Sequence, residues 1–157
     1  MKIVVLKFGG TSVGTIEKIK KVTDIIIEHK KKKNKVIVVS SAMSGVTNDL
    51  IKKSKQISNN FIDSEYDVLV SSGEQVACSL IAGRLNHKGF KSRSWLGWQI
   101  PIFTNGPYKN SRIQQVNKNK LLRFLKEGGI PIITGFQGVN MNERVTTIGR
   151  GGSDASA

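Results

Sequence analysis

The sequence predicts an α/β fold, a three-layer α/β/α sandwich with helices on both faces of a mostly parallel sheet. One observation behind this prediction is an alternation along the chain. Short apolar runs typical of buried strands are followed by longer stretches in which apolar residues recur at helical spacing. The other is that polar or glycine-rich stretches directly follow the strand-like runs, where sheets of this class bind their ligands. Because 157 residues suit one ordinary domain, we expect residues 1–157 to form a single domain.

The first part of the chain predicts two consecutive βα units. A strand is expected over residues 2–8, closed by Gly9 and Gly10. A second is expected over residues 36–40, where four consecutive β-branched residues are typical of a strand buried on both faces. A helix follows each strand, the first carrying Ile16, Ile19, Val22 and Ile26 and the second carrying Leu50, Ile51, Ile57 and Phe61.

Further along, residues 68–70 predict a third strand that leads into the segment SSGEQ. Ser72 and Gln75 have the spacing of a capping box, which predicts a helix that begins there and runs to His87. This places Glu74 at a helix N-terminus, where the helix dipole favours a carboxylate.

After two shorter candidate strands at residues 93–98 and 101–103, the last third of the chain predicts one more helix and one more strand. Asn117 is expected to cap a helix that runs to Lys126, and two glycines follow that helix. A strand is then expected over residues 130–134, so the alternation of strand and helix continues.

The formal net charge of the chain is +14, from 25 Lys and Arg against 11 Asp and Glu. A charge of this sign can bind nucleic acid by releasing counterions. The sequence has no helix-turn-helix, zinc or RNA-recognition signature, however, so we expect no nucleic-acid partner. The densest basic run, residues 29–35, lies where the first helix should end, and cations there suit the helix dipole.

No apolar run in the sequence has the length of a membrane span or of a signal-peptide core. The single cysteine, Cys78, excludes an internal disulfide and lies among apolar residues. We therefore expect no membrane partner and a cytoplasmic location.

Two glycine-rich stretches are the first candidates for chemistry. In KFGGTS, Lys7 precedes Gly9 and Gly10, and a glycine pair lets backbone amides approach a phosphate without interference from a Cβ. This stretch lacks the spacing of a Walker loop and could equally be a plain strand-to-helix turn. In GRGGSD, Arg150 can bind a carboxylate or phosphate through two hydrogen bonds, and Ser153 opens a helix. A simple surface turn rarely needs all of these residues.

Two further polar stretches are weaker candidates. SSAMSGVTN, residues 40–48, is rich in hydroxyl groups, but a helix-capping loop with Thr47 or Asn48 as the cap would explain it equally. SSGE, residues 71–74, offers Glu74 as a functional carboxylate or as an ordinary acidic residue in a first helical turn. Neither stretch alone decides between a structural and a functional role.

Together these stretches resemble the aspartate kinase (aspartokinase) family of the amino-acid kinase superfamily. The matching segments are KFGGTS, SSAMSGVTN, SSGE, the WQ pair at residues 98–99, GFQG and TTIGRGGSDASA, in the order of that family. The resemblance covers essentially the whole chain, and the combination of the first and last segments is specific to this family. It implies ATP-dependent phosphorylation of the L-aspartate β-carboxylate to 4-phospho-L-aspartate, with Mg²⁺. In that family the reaction is the first step of lysine, threonine and methionine biosynthesis.

The resemblance also implies a role for each matching residue. The catalytic residues are Lys7 and Asp154, with Asp154 holding the lysine. The residues assigned to phosphate are Lys7, Gly9, Gly10 and Ser153. The residues assigned to the substrate aspartate are Ser41, Thr47, Glu74 and Arg150. Within this last set, Glu74 meets the ammonium group and Arg150 meets the α-carboxylate; no residue is assigned to a metal.

The family pattern continues past GRGGSD, into a C-terminal nucleotide-binding lobe and usually into ACT-type regulatory domains. We therefore expect the chain to be the N-terminal, substrate-side lobe of an amino-acid kinase domain, truncated after that lobe. Such a lobe should have an open sheet edge and an uncovered apolar face. The alternative is a non-catalytic remnant or interaction module that needs a separate nucleotide-binding lobe. The expected protein partner is a second copy of the chain or that separate lobe.

Overall fold

The computed structural model describes residues 2–149 and 152–157, in which five helices and eight strands are present. The helices are α1 (Ile16–Lys31), α2 (Val46–Ile57), α3 (Asp63–His87), α4 (Asn119–Lys126) and α5 (Gly152–Ser156). The strands are β1 (Ile3–Phe8), β2 (Lys35–Ser40), β3 (Ser92–Trp95), β4 (Ile102–Asn105), β5 (Arg112–Val116), β6 (Ile130–Thr134), β7 (Gln137–Val139) and β8 (Val145–Thr147).

Sheet A is parallel throughout and has the strand order β1-β2-β6-β3. Its two central strands, β2 and β6, are almost entirely apolar because both of their faces are covered. Parallel neighbours require crossover connections, and α1 supplies the one between β1 and β2. The predicted α/β fold with a mostly parallel sheet is confirmed. Three strands of sheet A lie where the sequence predicted strands, and β3 overlaps the shorter candidate at residues 93–98.

Helices cover both faces of sheet A. On one face, α1 and α3 pack against the strands around a core that includes Ile26, Val38 and Ile132. On the other face, α4 packs against a second core that includes Val39 and Ile133. Since side chains alternate along a strand, neighbouring valines of β2 stabilise two different layers. Each fully buried aliphatic side chain contributes about 1.5–3 kcal/mol to folding.

A second sheet was not predicted from the sequence. Sheet B has the order β5-β4-β7-β8, with antiparallel outer pairs and a parallel pair at its centre. Its strands are only three to five residues long, which is too short for an apolar period to stand out. Because β8 leads directly towards the segment GRGGSD, sheet B positions the start of that segment.

The predicted third strand at residues 68–70 is wrong. These residues lie inside α3, which continues without a break from Asp63 to His87. The hydroxyls of Ser71 and Ser72 donate to backbone carbonyls three residues earlier in the same helix, so neither caps a helix start. The buried positions of this stretch recur at helical spacing but include polar residues, which hid the period: Asp67, Val70, Ser71 and Glu74. Glu74 therefore lies in the middle of a helix.

The start of α2 also differs from the prediction. The residue before the helix is Gly45, in the left-handed conformation with φ of +85°, rather than Thr47 or Asn48. The helix ends before Phe61, which the sequence had placed on it. Among the helices of the described residues, none is both long enough and apolar enough to cross a membrane.

Within the described residues, β1 forms one edge of sheet A. It pairs only with β2, and its backbone is open on the other side. On the face of β1 that points away from α1, Ile3 and Val5 are 49% and 46% exposed. β1 is thus an open edge strand that carries partly exposed apolar side chains.

Candidate functional site

The segments that follow β1, β2 and β6 meet at the carboxyl edge of sheet A and form a cleft of about 380 Å³. α3 contributes Glu74 to this cleft, and α5 contributes Ser153 and Asp154. Loops from parallel strands end together at this edge, which is why ligands of α/β proteins bind there. The described residues that line the cleft are Lys7, Gly9, Gly10, Ser41, Ala42, Met43, Ser44, Gly45, Thr47, Asn48, Glu74, Phe136, Gly149, Gly152, Ser153 and Asp154.

An ion pair joins the two ends of the chain across this cleft. Nζ of Lys7, near the end of β1, lies 2.7 Å from Oδ1 of Asp154 in α5. The side chains are 31% and 70% exposed, so both charges remain within reach of a ligand. An ion pair this exposed adds little to stability. Its consequence is geometric, because it holds the ammonium group beside Gly9, where a Cβ would lie 3.6 Å from Nζ.

Two glycines bring the loop after β2 close to its neighbours. A Cβ at Gly10 would lie 3.0 Å from the carbonyl oxygen of Ala42, and a Cβ at Gly73 would lie 2.9 Å from the Cβ of Ala42. Both approaches leave no room for a side chain. Ala42 is therefore held between the turn after β1 and the middle of α3.

This packing brings the backbone N–H of Ala42 within hydrogen-bond distance of Glu74. Oε1 of Glu74 accepts a hydrogen bond of 3.2 Å from the N–H of Ala42. Oε2 is buried and has no hydrogen-bond partner in the described part of the chain. Burial raises the pKa of Glu74 to about 7, against the opposing effect of its backbone hydrogen bonds. A carboxylate oxygen without a partner, on the wall of a polar cleft, is a candidate partner for a cationic group of a ligand.

Phe136 lines the cleft in a conformation that is rare for a residue with a side chain, with φ of +68°. Its carbonyl accepts a hydrogen bond from Ile148, and its N–H donates to Oγ of Ser156. These bonds tie the exit of β6 to the segment after β8 and to α5. Strained residues of this kind are frequent at functional sites.

The structure brings eight of the nine residues predicted for the site into this one cleft: Lys7, Gly9, Gly10, Ser41, Thr47, Glu74, Ser153 and Asp154. Arg150, the ninth, lies outside the described residues. Sequence reasoning missed the amide of Ala42 and the ring of Phe136. The segment GFQG contributed to the family resemblance and was the one sequence signal that could have pointed to Phe136.

The cleft offers groups that suit phosphate. Lys7 supplies a positive charge, and Gly9 and Gly10 leave the backbone open to a close approach. Over residues 2–149 and 152–157, no group of three His, Cys, Asp or Glu side chains is placed to hold a metal ion. Magnesium that arrives with a nucleotide takes several of its ligands from phosphate and water. The residues present therefore fit the phosphates of a magnesium–nucleotide complex.

A sequence model of the amino acid kinase family matches residues 2–157. The chain belongs to the amino acid kinase family. This finding confirms the superfamily that the motifs predicted.

Within that family, the chain is similar to bacterial aspartokinases. It is 48% identical over its whole length to the aspartokinase of Geobacillus stearothermophilus and 46% identical to that of Rickettsia conorii. It spans 39% and 40% of the lengths of those two proteins. The resemblance to aspartate kinases is thus confirmed, and it concerns about two fifths of each relative.

Solved aspartate kinases have the same fold as this amino acid kinase chain. The aspartate kinase of Synechocystis matches all of the chain with a TM-score of 0.82 and 39% identity, and 26% of that protein is covered. Aspartokinase III of E. coli, in complex with aspartate and ADP, matches 98% of the chain with a TM-score of 0.83 and 24% identity, and 45% of it is covered. At that identity, the second likeness shows the fold alone.

Proposed function

We propose that the chain forms the aspartate- and phosphate-binding part of an aspartate kinase, which transfers a phosphoryl group from ATP to the β-carboxylate of L-aspartate. The observation that carries this proposal is the shared cleft, which brings together Lys7, Asp154 and Glu74, whose Oε2 has no hydrogen-bond partner in the described part of the chain. The names of the relatives at 46–48% identity support it. In aspartokinases this reaction is the first step of lysine, threonine and methionine biosynthesis.

Glu74 is proposed to bind the ammonium group of aspartate. Its Oε2 atom is buried without a hydrogen-bond partner in the described part of the chain, so an N–H donor from a ligand would replace a missing interaction. Burial raises the pKa of Glu74 to about 7, and no cationic side chain of the described residues is among the groups that lower it. A bound ammonium group would lower that pKa and hold Glu74 ionised.

Lys7 is proposed to neutralise charge on the transferred phosphoryl group. The nucleophile is a carboxylate that needs no general base, so the enzyme has to align two anions and stabilise the charge that develops between them. Asp154 keeps the Lys7 ammonium in place, and Gly9 and Gly10 let the backbone approach the phosphate. Magnesium, when bound with ATP, would supply further positive charge to the phosphates.

The remaining assigned residues complete the proposed aspartate subsite. Ser41 and Thr47, which follow β2 in the chain, also line the cleft and supply hydroxyl groups. Ser153 lies at the start of α5 beside Asp154. Arg150 is proposed to bind the α-carboxylate of aspartate through two hydrogen bonds, which its planar guanidinium favours.

Since the chain spans about two fifths of its relatives, catalysis by the complete protein and its partners are also proposals. The alternative is a module that binds aspartate but depends on a separate nucleotide-binding lobe. In both cases the cleft would hold the aspartate-binding groups. The open edge at β1 is a surface on which a separate lobe could pair.

The test is a coupled ADP-release assay with L-aspartate, MgATP and the purified chain, accompanied by calorimetric titration with each ligand. Aspartate-dependent ADP release supports the kinase proposal directly. Aspartate binding without ATP binding or turnover supports the module. If the folded chain binds neither ligand and releases no ADP, the proposed function is wrong for this chain.

A further inference from the structure

Asp67 is a fully buried carboxylate that the proposed reaction does not use. It lies in α3, and its exposed fraction is 0%. No cationic side chain of the described residues lies within ion-pair distance of it, and the nearby Lys109 ammonium instead pairs with Asp63 and lies over the ring of Tyr66. An isolated charge in such a place is costly unless hydrogen bonds compensate it, so its contacts indicate what it does.

All of those contacts go to two segments that are distant in sequence. Oδ1 of Asp67 accepts a 2.8 Å hydrogen bond from Oγ1 of Thr147, and Oδ2 accepts one of 2.8 Å from the N–H of the same residue. The N–H of Lys109 is shared between the two oxygens, at 3.0 and 3.1 Å. One carboxylate therefore binds α3 to the end of β8 and to the loop before β5.

The loop before β5 depends on this contact for its shape. Lys109 has φ of +67°, which is unfavourable for a residue with a side chain. Two residues further on, the N–H of Ser111 donates to the carbonyl of Thr147 at 2.9 Å. Asp67, Thr147 and this loop thus form one closed junction, in which each partner is held by the other two.

The junction is close along the chain to two residues that line the cleft, Glu74 and Gly149. Glu74 is seven residues after Asp67 on α3, which is two turns and about 10 Å along the same helix face. Thr147 is two residues before Gly149, which lines the opposite part of the cleft. A shift of β8 against α3 would therefore change the separation between Glu74 and Gly149 across the cleft.

We infer that Asp67 is a positioning residue that sets the width of the aspartate subsite by fixing the end of β8 against α3. This inference rests on the proposed function, since it concerns the same subsite. The carboxylate suits this role because its two oxygens can accept from both donors of Thr147 and from the amide of Lys109. Burial raises the pKa of Asp67, and the hydrogen bonds from Thr147 and Lys109 oppose this rise. These hydrogen bonds are therefore what stabilises the buried carboxylate.

The test compares four variants of the chain by calorimetric titration with L-aspartate, at a temperature well below the unfolding midpoint of each. Asp67→Asn replaces an acceptor by an N–H₂ group that faces existing donors, and Thr147→Val removes one hydroxyl donor with little change of shape. We expect each to raise the Kd for L-aspartate by about tenfold or more. Thr147→Ser keeps the hydroxyl and should restore a Kd within about twofold of the unchanged chain.

Asp63→Asn is the matched control. Asp63 lies one turn earlier on α3 and also pairs with Lys109, but through its exposed ammonium group. Its loss should leave the Kd within about twofold, because an exposed ion pair contributes little. If Asp67 had a merely structural role, Asp67→Asn would lower the unfolding midpoint but leave the Kd for L-aspartate of the folded protein unchanged.

The possible results separate the inference about Asp67 from the proposed function. If folded Asp67→Asn and Thr147→Val bind L-aspartate as tightly as the unchanged chain, the inference is wrong while the proposed function stands. If Asp67→Asn does not fold, equal affinities of Thr147→Val and Thr147→Ser overturn the inference, and a weaker affinity of the valine variant alone supports it. If the unchanged chain does not bind L-aspartate, the proposed subsite and its positioning residue both fail.

Discussion

Lys7 in β1 and Asp154 in α5 lie at opposite ends of the chain, yet their charged atoms are 2.7 Å apart. Both residues line the cleft, and the Lys7 ammonium lies beside Gly9 after β1. Since both side chains are partly exposed, the pair is better explained by the site than by stability.

Replacing Lys7 should therefore affect turnover more than folding. We expect Lys7→Ala to lower aspartate-dependent ADP release by about 10²–10³-fold, the range typical of one removed electrostatic contact to a transition state. The unfolding midpoint should change little. Lys21→Ala, on the exposed side of α1, is the control and should keep full activity. Equal activity of the two variants would contradict the role of Lys7.

Glu74 should make the stability of the ligand-free chain depend on pH. Its pKa is about 7 in the folded chain against 4.5 as the ordinary value, so the folded state retains a proton that the unfolded state has lost between these values. The free energy of unfolding should fall as the pH rises from about 4.5 to 7, by up to about 3 kcal/mol from this group. Below that window the stabilisation is fully present, and above it the stabilisation is lost.

Urea unfolding of the unchanged chain and of Glu74→Gln, at several pH values across this window, checks this prediction. The glutamine variant should be the more stable of the two at pH 8, and the difference should shrink towards pH 4.5. Glu28→Gln, at an exposed position of α1, serves as the control. A stability difference that does not change with pH would show that Glu74 has an ordinary pKa.

The ionisation of Glu74 should also make the affinity for L-aspartate rise with pH, whereas it makes the stability of the ligand-free chain fall. Because an ammonium group binds the ionised form, affinity for L-aspartate should increase by about tenfold between pH 6 and pH 8 as Glu74 loses its proton. Glu74→Gln should bind weakly at every pH and show no such increase. Calorimetric titration of both proteins separates this effect from titration of the ligand itself. A parallel pH dependence in the two proteins would argue against the contact.

Gly73 should tolerate no side chain, because α3 approaches the loop after β2 too closely. A Cβ at Gly73 would lie 2.9 Å from the Cβ of Ala42 and 3.2 Å from a methyl group of Val46. We expect Gly73→Ala to destabilise the chain by about 1–3 kcal/mol, as overpacking does. Denaturant unfolding measures this directly.

The control for Gly73 lies on the same helix. A Cβ at Gly83 would meet nothing within 4 Å, so Gly83→Ala should stabilise the chain by about 0.5–1 kcal/mol through helix propensity. If both alanine variants were stabilised, the close approach of Gly73 to Ala42 would not exist in solution.

The two central strands of sheet A, β2 and β6, were predictable because their burial is encoded locally. β2 and β6 are continuous apolar runs, and glycine or hydroxyl residues end them, so composition over five or six residues is sufficient. α3 was divided wrongly because its buried face includes Asp67, Ser71 and Glu74. Polar residues become buried only through partners elsewhere in the chain, and no local pattern shows those partners.

The candidate site also combines features that the sequence predicted with features that depend on tertiary contacts. The motifs named Lys7, Glu74 and Asp154 through the family resemblance, and the carboxyl edge of the sheet was predictable from the strand-helix alternation. The unpartnered oxygen of Glu74 and its raised pKa were not, since they depend on how deeply α3 buries the carboxyl beneath the loop that carries Ala42.

The sequence by itself determined the α/β class, the parallel core strands and the family of this chain, because apolar runs and glycine turns act over a few residues. Only the tertiary structure decided that Glu74 projects from the middle of a helix, that Asp67 joins α3 to β8, and that short strands form a second sheet. The hydrogen bonds of Glu74 to Ala42 and of Asp67 to Thr147 join residues 32 and 80 positions apart, and hydrogen-bond geometry over such separations exists only after the chain has folded.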